Sequence, residues 1–139
     1  MNKSTTLVYT ATTETTGGRD KGSARSSDGS LDLRFSTPGS ARIGTNPEQL
    51  VAIAWSVSFA SSVATVARDS GIDLSADARI RAEVDLSSDL DGYVISVRLA
   101  LHLPGIGRDA AARLIEGARS TCPYTRATRG NVEIVFDLV

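Results

Sequence analysis

Apolar residues recur at every second position through Tyr93, Ile95, Val97, Leu99, Leu101 and Leu103, the spacing that places side chains on one face of a strand. The same period runs through Ile80, Ala82, Val84 and Leu86, with Arg79, Arg81, Glu83 and Asp85 between them. It runs again through Leu31, Leu33 and Phe35, and through Val132, Ile134, Phe136 and Leu138. Asp28-Gly29 is a hairpin turn signal, and Gly17-Gly18 separates a Thr-rich first strand from a second near residues 22 to 27. The chain is therefore expected to open as a three-stranded meander.

A different pattern starts at Gly44-Thr45-Asn46-Pro47-Glu48-Gln49-Leu50. Asn46 suits an N-cap, Pro47 suits the first helical position because its missing N–H is not needed there, and Gln49 is placed to fold back as in a capping box. From Leu50 to Ala67 the chain is apolar almost all round, interrupted by Ser56, Ser58, Ser61, Ser62 and Thr65. This predicts a helix buried on most sides and stopping near Gly71. A membrane span is the rival reading, weakened by the hydroxyls and by the Pro-Glu-Gln and Arg68-Asp69 borders. Pro104-Gly105 ends the fifth strand, and Ala110, Leu114, Ile115 and Ala118 mark a shorter amphipathic helix that Pro123 terminates. The order βββαββαβ, with strands grouped around one dominant helix, points to an α+β fold with antiparallel sheets. So apolar a helix needs cover on several sides, which predicts a second subunit packing its sheet around paired helices.

Composition narrows the function. The 139 residues fit a single domain over 1–139. Fifteen Lys and Arg against sixteen Asp and Glu leave a formal net charge of -1, without the basic surplus of a nucleic-acid binder or a membrane-surface protein. No apolar core of signal-peptide length follows Met1-Asn2-Lys3-Ser4-Thr5-Thr6, so a cytoplasmic location is expected. Cys122 is the single cysteine and His102 the single histidine, too few for an intrachain disulfide or a thiolate–imidazole zinc site. Neither metal nor cofactor is expected.

Four stretches then stand out: Thr16-Gly17-Gly18-Arg19-Asp20, Ser27-Asp28-Gly29-Ser30-Leu31-Asp32-Leu33, Gly44-Thr45-Asn46-Pro47-Glu48-Gln49-Leu50, and Cys122-Pro123-Tyr124 with Ala127-Thr128-Arg129-Gly130-Asn131-Val132. In order and spread they resemble the organic hydroperoxide resistance proteins of the OsmC/Ohr superfamily. The resemblance implies antiparallel sheets around a long buried central helix in an intertwined homodimer. It also implies an oxidative-stress peroxidase that reduces organic hydroperoxides to alcohols with electrons from lipoyl-type dithiols. In such proteins a thiolate on the long helix attacks the O–O bond, becomes a sulfenic acid and condenses with a resolving thiol. Cys122 matches the resolving position. The attacking position falls ten residues after Glu48, where this chain has Ser58. Arg19 matches the arginine that supplies a cation to the thiolate, and Glu48 the carboxylate that holds its guanidinium fork.

The helix itself could not ionise a thiol at position 58. Eleven residues from Pro47 are about 16 Å of axis, whereas a helix dipole is felt mainly in the first turn. Glu48 and Ser58 are themselves about 15 Å apart along the helix, so a compact site needs a long reach from Arg19, a late helix start or the other subunit, and a site at the dimer interface is expected. Each residue also has a plainer reading. Arg19 would be a solvated turn arginine, Glu48 a first-turn acid, Ser58 a small core residue bonding back to a carbonyl, and Cys122 an inert buried thiol. Trp55, Phe59 and Tyr124 are core or pocket wall, His102 is on the polar side of its strand, and Arg126 and Arg129 face solvent or brace a loop. Three functions are compatible with this pattern: a hydroperoxide reductase whose cysteine was replaced deliberately; a natural divergent member that has lost the reaction and binds a hydrophobic ligand, or works as a weak single-thiol enzyme through Cys122; or a non-catalytic interaction protein on the same dimeric scaffold. Departures at several positions of Ala54-Trp55-Ser56-Val57-Ser58-Phe59 favour the natural divergent member.

Overall fold

A computed structural model describes residues 4–139. The strands and helices are β1 (Thr13–Thr16), β2 (Ser23–Ser26), β3 (Asp32–Arg34), α1 (Pro47–Asp69), β4 (Arg79–Ser88), β5 (Tyr93–His102), α2 (Arg108–Thr121), α3 (Pro123–Thr128) and β6 (Glu133–Leu138). The chain divides between Pro47 and Glu48 into two compact units. The fold is α+β, with one three-stranded sheet in each unit.

The first unit is the expected meander, antiparallel in the order β1-β2-β3. Its second turn is organised by Asp28, whose Oδ1 accepts from Ser26 Oγ at 2.7 Å, Ser30 Oγ at 2.7 Å and Ser30 N–H at 3.0 Å. Gly29 takes the left-handed conformation the turn requires, at φ 76°. After β3 the chain crosses itself, with Thr45 N–H donating to Arg34 O and Ser36 N–H to Thr45 O, which bridges Phe35 to Thr45 in parallel.

The second unit departs from the expected pattern in three respects. Its sheet has the order β4-β5-β6, and β6 runs parallel to β5 instead of antiparallel. The two strands are joined by a helical crossover, which returns the chain to the end where β5 began. Pro123 does end α2, yet it also opens α3, giving the order βββαββααβ. A ring that cannot continue a helix is well suited to the first position of the next, where no N–H is needed. The third difference concerns α1, which buries one stripe at spacing four: Trp55, Phe59, Val63 and Ala67. Ile53 and Val57, on another side of the helix, are 61% and 60% exposed. By length and composition α1 could cross a membrane, but its buried stripe belongs to a core shared with Val97, Leu99 and Leu101 of β5 and Ala111, Leu114 and Ala118 of α2.

Strand register carries the core as the period-two pattern requires. Ala82 faces Leu99 across β4–β5, and Leu99 faces Phe136 across β5–β6. Phe59 meets Phe136 with ring centroids 4.9 Å apart, and the Arg119 guanidinium lies 5.0 Å from the centroid of the Phe136 ring. Gly117 of α2 lets α1 approach closely, since a Cβ there would lie 2.9 Å from Val66 Cγ1. Tyr93, at the far end of the β5 stripe, is exposed.

The Asp28 turn has a pH signature. The Ser26 hydroxyl, then the Ser30 N–H and the Ser30 hydroxyl, hold the carboxyl at about 2, below its ordinary 3.8. A folded-state value below the unfolded one adds stability that is present above about pH 4 and is lost as the pH falls toward 2. Denaturation curves collected across that range should therefore fall less steeply with acid for Asp28→Asn than for the parent. Parallel curves would show that the turn does not hold the ionised form.

Candidate functional site

The loop carrying Arg19 is shaped by glycine. Gly17 has φ 70°, and Gly22 N–H donates to Gly18 O at 2.8 Å. A Cβ on Gly22 would overlap Gly18 O and lie 2.8 Å from Thr16 O and 2.9 Å from Gly18 N. Thr37 Oγ1 donates to Asp20 Oδ1 at 2.6 Å, and Arg42 reaches Lys21 O at 3.4 Å and Phe35 O at 3.0 Å. Arg19 thus projects from a turn fixed on both sides by neighbours within the first unit.

Glu48 and Ser58 lie on α1 in the second unit. Glu48 occupies the first turn and Ser58 the middle, so the helix by itself keeps them about 15 Å apart along its axis. Ser58 is half-buried and flanks the Trp55–Phe59 stripe. The hydroxyls that turn back onto helix carbonyls belong to Ser56, donating to Ile53 O at 3.2 Å, and Thr65, donating to Ser61 O at 3.0 Å.

Cys122 is fully buried, in the same apolar cluster as Trp55 and Phe59. It is the joint between α2 and α3: its N–H donates to Ala118 O and its carbonyl accepts from Arg126 N–H, both at 2.9 Å, while φ -63° and ψ 123° turn the chain between the helices. The residues that follow lean on α1. Trp55 Nε1–H donates to Thr125 Oγ1 at 3.2 Å, and the Trp55 ring lies 6.0 Å from that of Tyr124. The structure therefore draws the Cys122 joint and the middle of α1 together. Sequence reading placed Trp55 and Tyr124 as core or wall but did not pair Trp55 with Thr125; the available signal was that a buried indole N–H needs an acceptor.

A second cluster was also missed. Arg98 on β5 donates through Nε to Glu83 Oε2 at 2.9 Å and through its terminal nitrogens to both Asp85 oxygens. Arg98 holds the Asp85 carboxyl below its usual range, chiefly by hydrogen bonding, and the two acids in turn hold the guanidinium protonated. This is a pinned cation, but alternation along β5 puts it opposite the face that Val97 and Leu99 present to the Cys122 cluster. It is not placed to ionise a thiol in that core.

The α+β arrangement, with two three-stranded sheets and a long central helix, is the OsmC-like fold, and a family model described as OsmC-like protein matches residues 37–137. An uncharacterized protein of Acinetobacter baylyi is 40% identical over 96% of this chain and 94% of its own length. The organic hydroperoxide resistance protein of Xanthomonas axonopodis pv. citri is 36% identical, covering 95% of each chain. The crystal structure of the organic hydroperoxide resistance protein OhrB of Bacillus subtilis superposes with a TM-score of 0.88 at 35% identity, over 94% of this chain and 98% of that one. The chain belongs to the organic hydroperoxide resistance proteins of the OsmC/Ohr family.

The Arg19 turn offers a direct check on its geometry. Gly22→Ala should destabilise the protein by about 2 kcal/mol, through backbone overlap. Gly18→Ala, whose Cβ would meet nothing within 4 Å, serves as its control. Urea denaturation giving equal midpoints for the two variants would contradict the close approach.

Proposed function

We propose that this chain is an organic-hydroperoxide-resistance protein whose attacking-thiol position is occupied by Ser58, so that the family's two-cysteine cycle does not run in it. The observation carrying this reading is the single cysteine, Cys122, buried in the same cluster as Trp55, which precedes position 58 by one helical turn. In the two-cysteine cycle a thiolate, a hydroperoxide and a proton give a sulfenic acid and an alcohol. A second thiol then displaces water to form the disulfide, which an external dithiol reopens. A serine hydroxyl is far less acidic than a thiol of pKa about 8.5, and oxygen has no counterpart of the sulfenic step.

The remaining assignments belong to the same reading. One OsmC/Ohr-like domain spans 1–139, with Cys122 in the resolving position and Arg19 and Glu48 as the cation and the carboxylate that orients it. The pocket takes an organic hydroperoxide or a similar hydrophobic small molecule, and a lipoyl-type dithiol is the reductant wherever a cysteine is restored. The protein works in the cytoplasm as a homodimer. Exposed Ile53 and Val57 on an otherwise apolar helix support a second copy as their cover.

Two measurements test this. With cumene hydroperoxide and a dithiol, the protein should show no turnover, and Ser58→Cys should gain turnover together with an intrachain link to Cys122. Rapid peroxide loss by the unaltered chain would refute the assignment of Ser58. Sedimentation equilibrium should give twice the 14.6 kDa chain mass; a monomer at all concentrations would remove the homodimer.

A further inference from the structure

We infer that the Trp55–Thr125 hydrogen bond is the positioning device that holds Cys122 toward residue 58. The inference rests on the site assignment just proposed and adds residues to it. Trp55 is 1% exposed and Thr125 6%, so the indole N–H and the hydroxyl meet away from water, at 3.2 Å. Trp55 precedes Ser58 by three residues, the spacing of neighbours on one helix side. Thr125 follows Cys122 by the same three residues, within the turn whose Arg126 N–H closes on the Cys122 carbonyl. One hydrogen bond therefore ties together the two segments that carry the two site positions, a turn away from each.

The Trp55–Thr125 bond is a directional side-chain tie between the joint and α1. Cys122 is linked to α2 and α3 through its backbone, which sets α3 relative to α2 but supplies no tie to α1. The Tyr124–Trp55 ring contact, tilted at 32°, adds area without direction. A hydrogen bond between a rigid indole and a β-branched side chain is directional, and burial makes its loss costly. Trp55 and Thr125 act through the orientation of Cys122.

The test uses the full-length Ser58→Cys protein equilibrated with reduced and oxidised dithiothreitol. Two protein thiols reduce the cyclic disulfide, passing two electrons and two protons to it and forming the protein's own S–S bond. Trp55→Phe and Thr125→Val in that background should each lower the equilibrium constant for the protein disulfide about tenfold, a shift of about 30 mV, while Thr125→Ser should restore it. A loss of general stability affects the dithiol and disulfide forms alike and leaves this constant unchanged, so thermal transitions of both forms separate the two effects. If one variant does not fold, the other still decides. Equal constants for the Ser58→Cys protein and a folded pin variant would overturn the inference. A folded Ser58→Cys protein that forms no disulfide at all would overturn the site assignment beneath it.

Discussion

Everything in the larger unit depends on one line of side chains along α1. Trp55, Phe59, Val63 and Ala67 are spaced by four and all but fully buried, and the other elements are positioned by what they contribute to the same cluster. β5 supplies Val97, Leu99 and Leu101, α2 supplies Ala111, Leu114 and Ala118, and the Cys122 joint closes one end. A fully buried aromatic such as Phe59, in contact with Phe136, is worth about 3–5 kcal/mol relative to alanine. That is a large share of the 5–15 kcal/mol typical of a whole domain. The stripe is thus the frame on which the candidate site is hung, since Trp55 is at once a core residue and the donor that reaches Thr125.

The sheet separates two kinds of chemistry by its alternation. On the core face of β4 and β5 the residues are apolar and share one cluster with Cys122. On the other face Glu83, Asp85 and Arg98 form a charge cluster exposed enough for solvent to screen it. Shifting β5 by one residue would exchange these faces, so the register from Arg79↔His102 to Ser88↔Tyr93 is enforced by both at once.

Most of the fold could be read from the chain because its signals are local. Period-two stripes marked four of the six strands, the Gly17-Gly18 and Asp28-Gly29 turn signals separated the first two, and Pro47 marked the start of α1. What was missed depends on tertiary geometry. The direction of β6 follows from a crossover whose path no local pattern records, and α3 was hidden because proline ends and begins helices with the same ring. Within one chain α1 buries a single stripe, because an all-round apolar composition states a demand for cover, not its source. At the site, the positions of Arg19, Glu48, Ser58 and Cys122 were named through resemblance, whereas the Trp55–Thr125 pairing links residues seventy apart and needed coordinates.

Residues 58 and 122 bear on folding very differently. Ser58 falls between the stripe positions 55 and 59 and is only half-buried. Exchanging its oxygen for sulfur removes or restores a nucleophile without touching the core spacing. Cys122 is the converse: fully buried, placed where one helix ends and the next begins, and part of the central cluster. A small, weakly polar side chain is favoured there by packing alone. Packing accounts for Cys122 at the joint, and Ser58 is accommodated on the flank of α1 without disturbing the core stripe. The architecture therefore depends on the side chain at 122 and is far less sensitive to the one at 58, on the flank of the long helix.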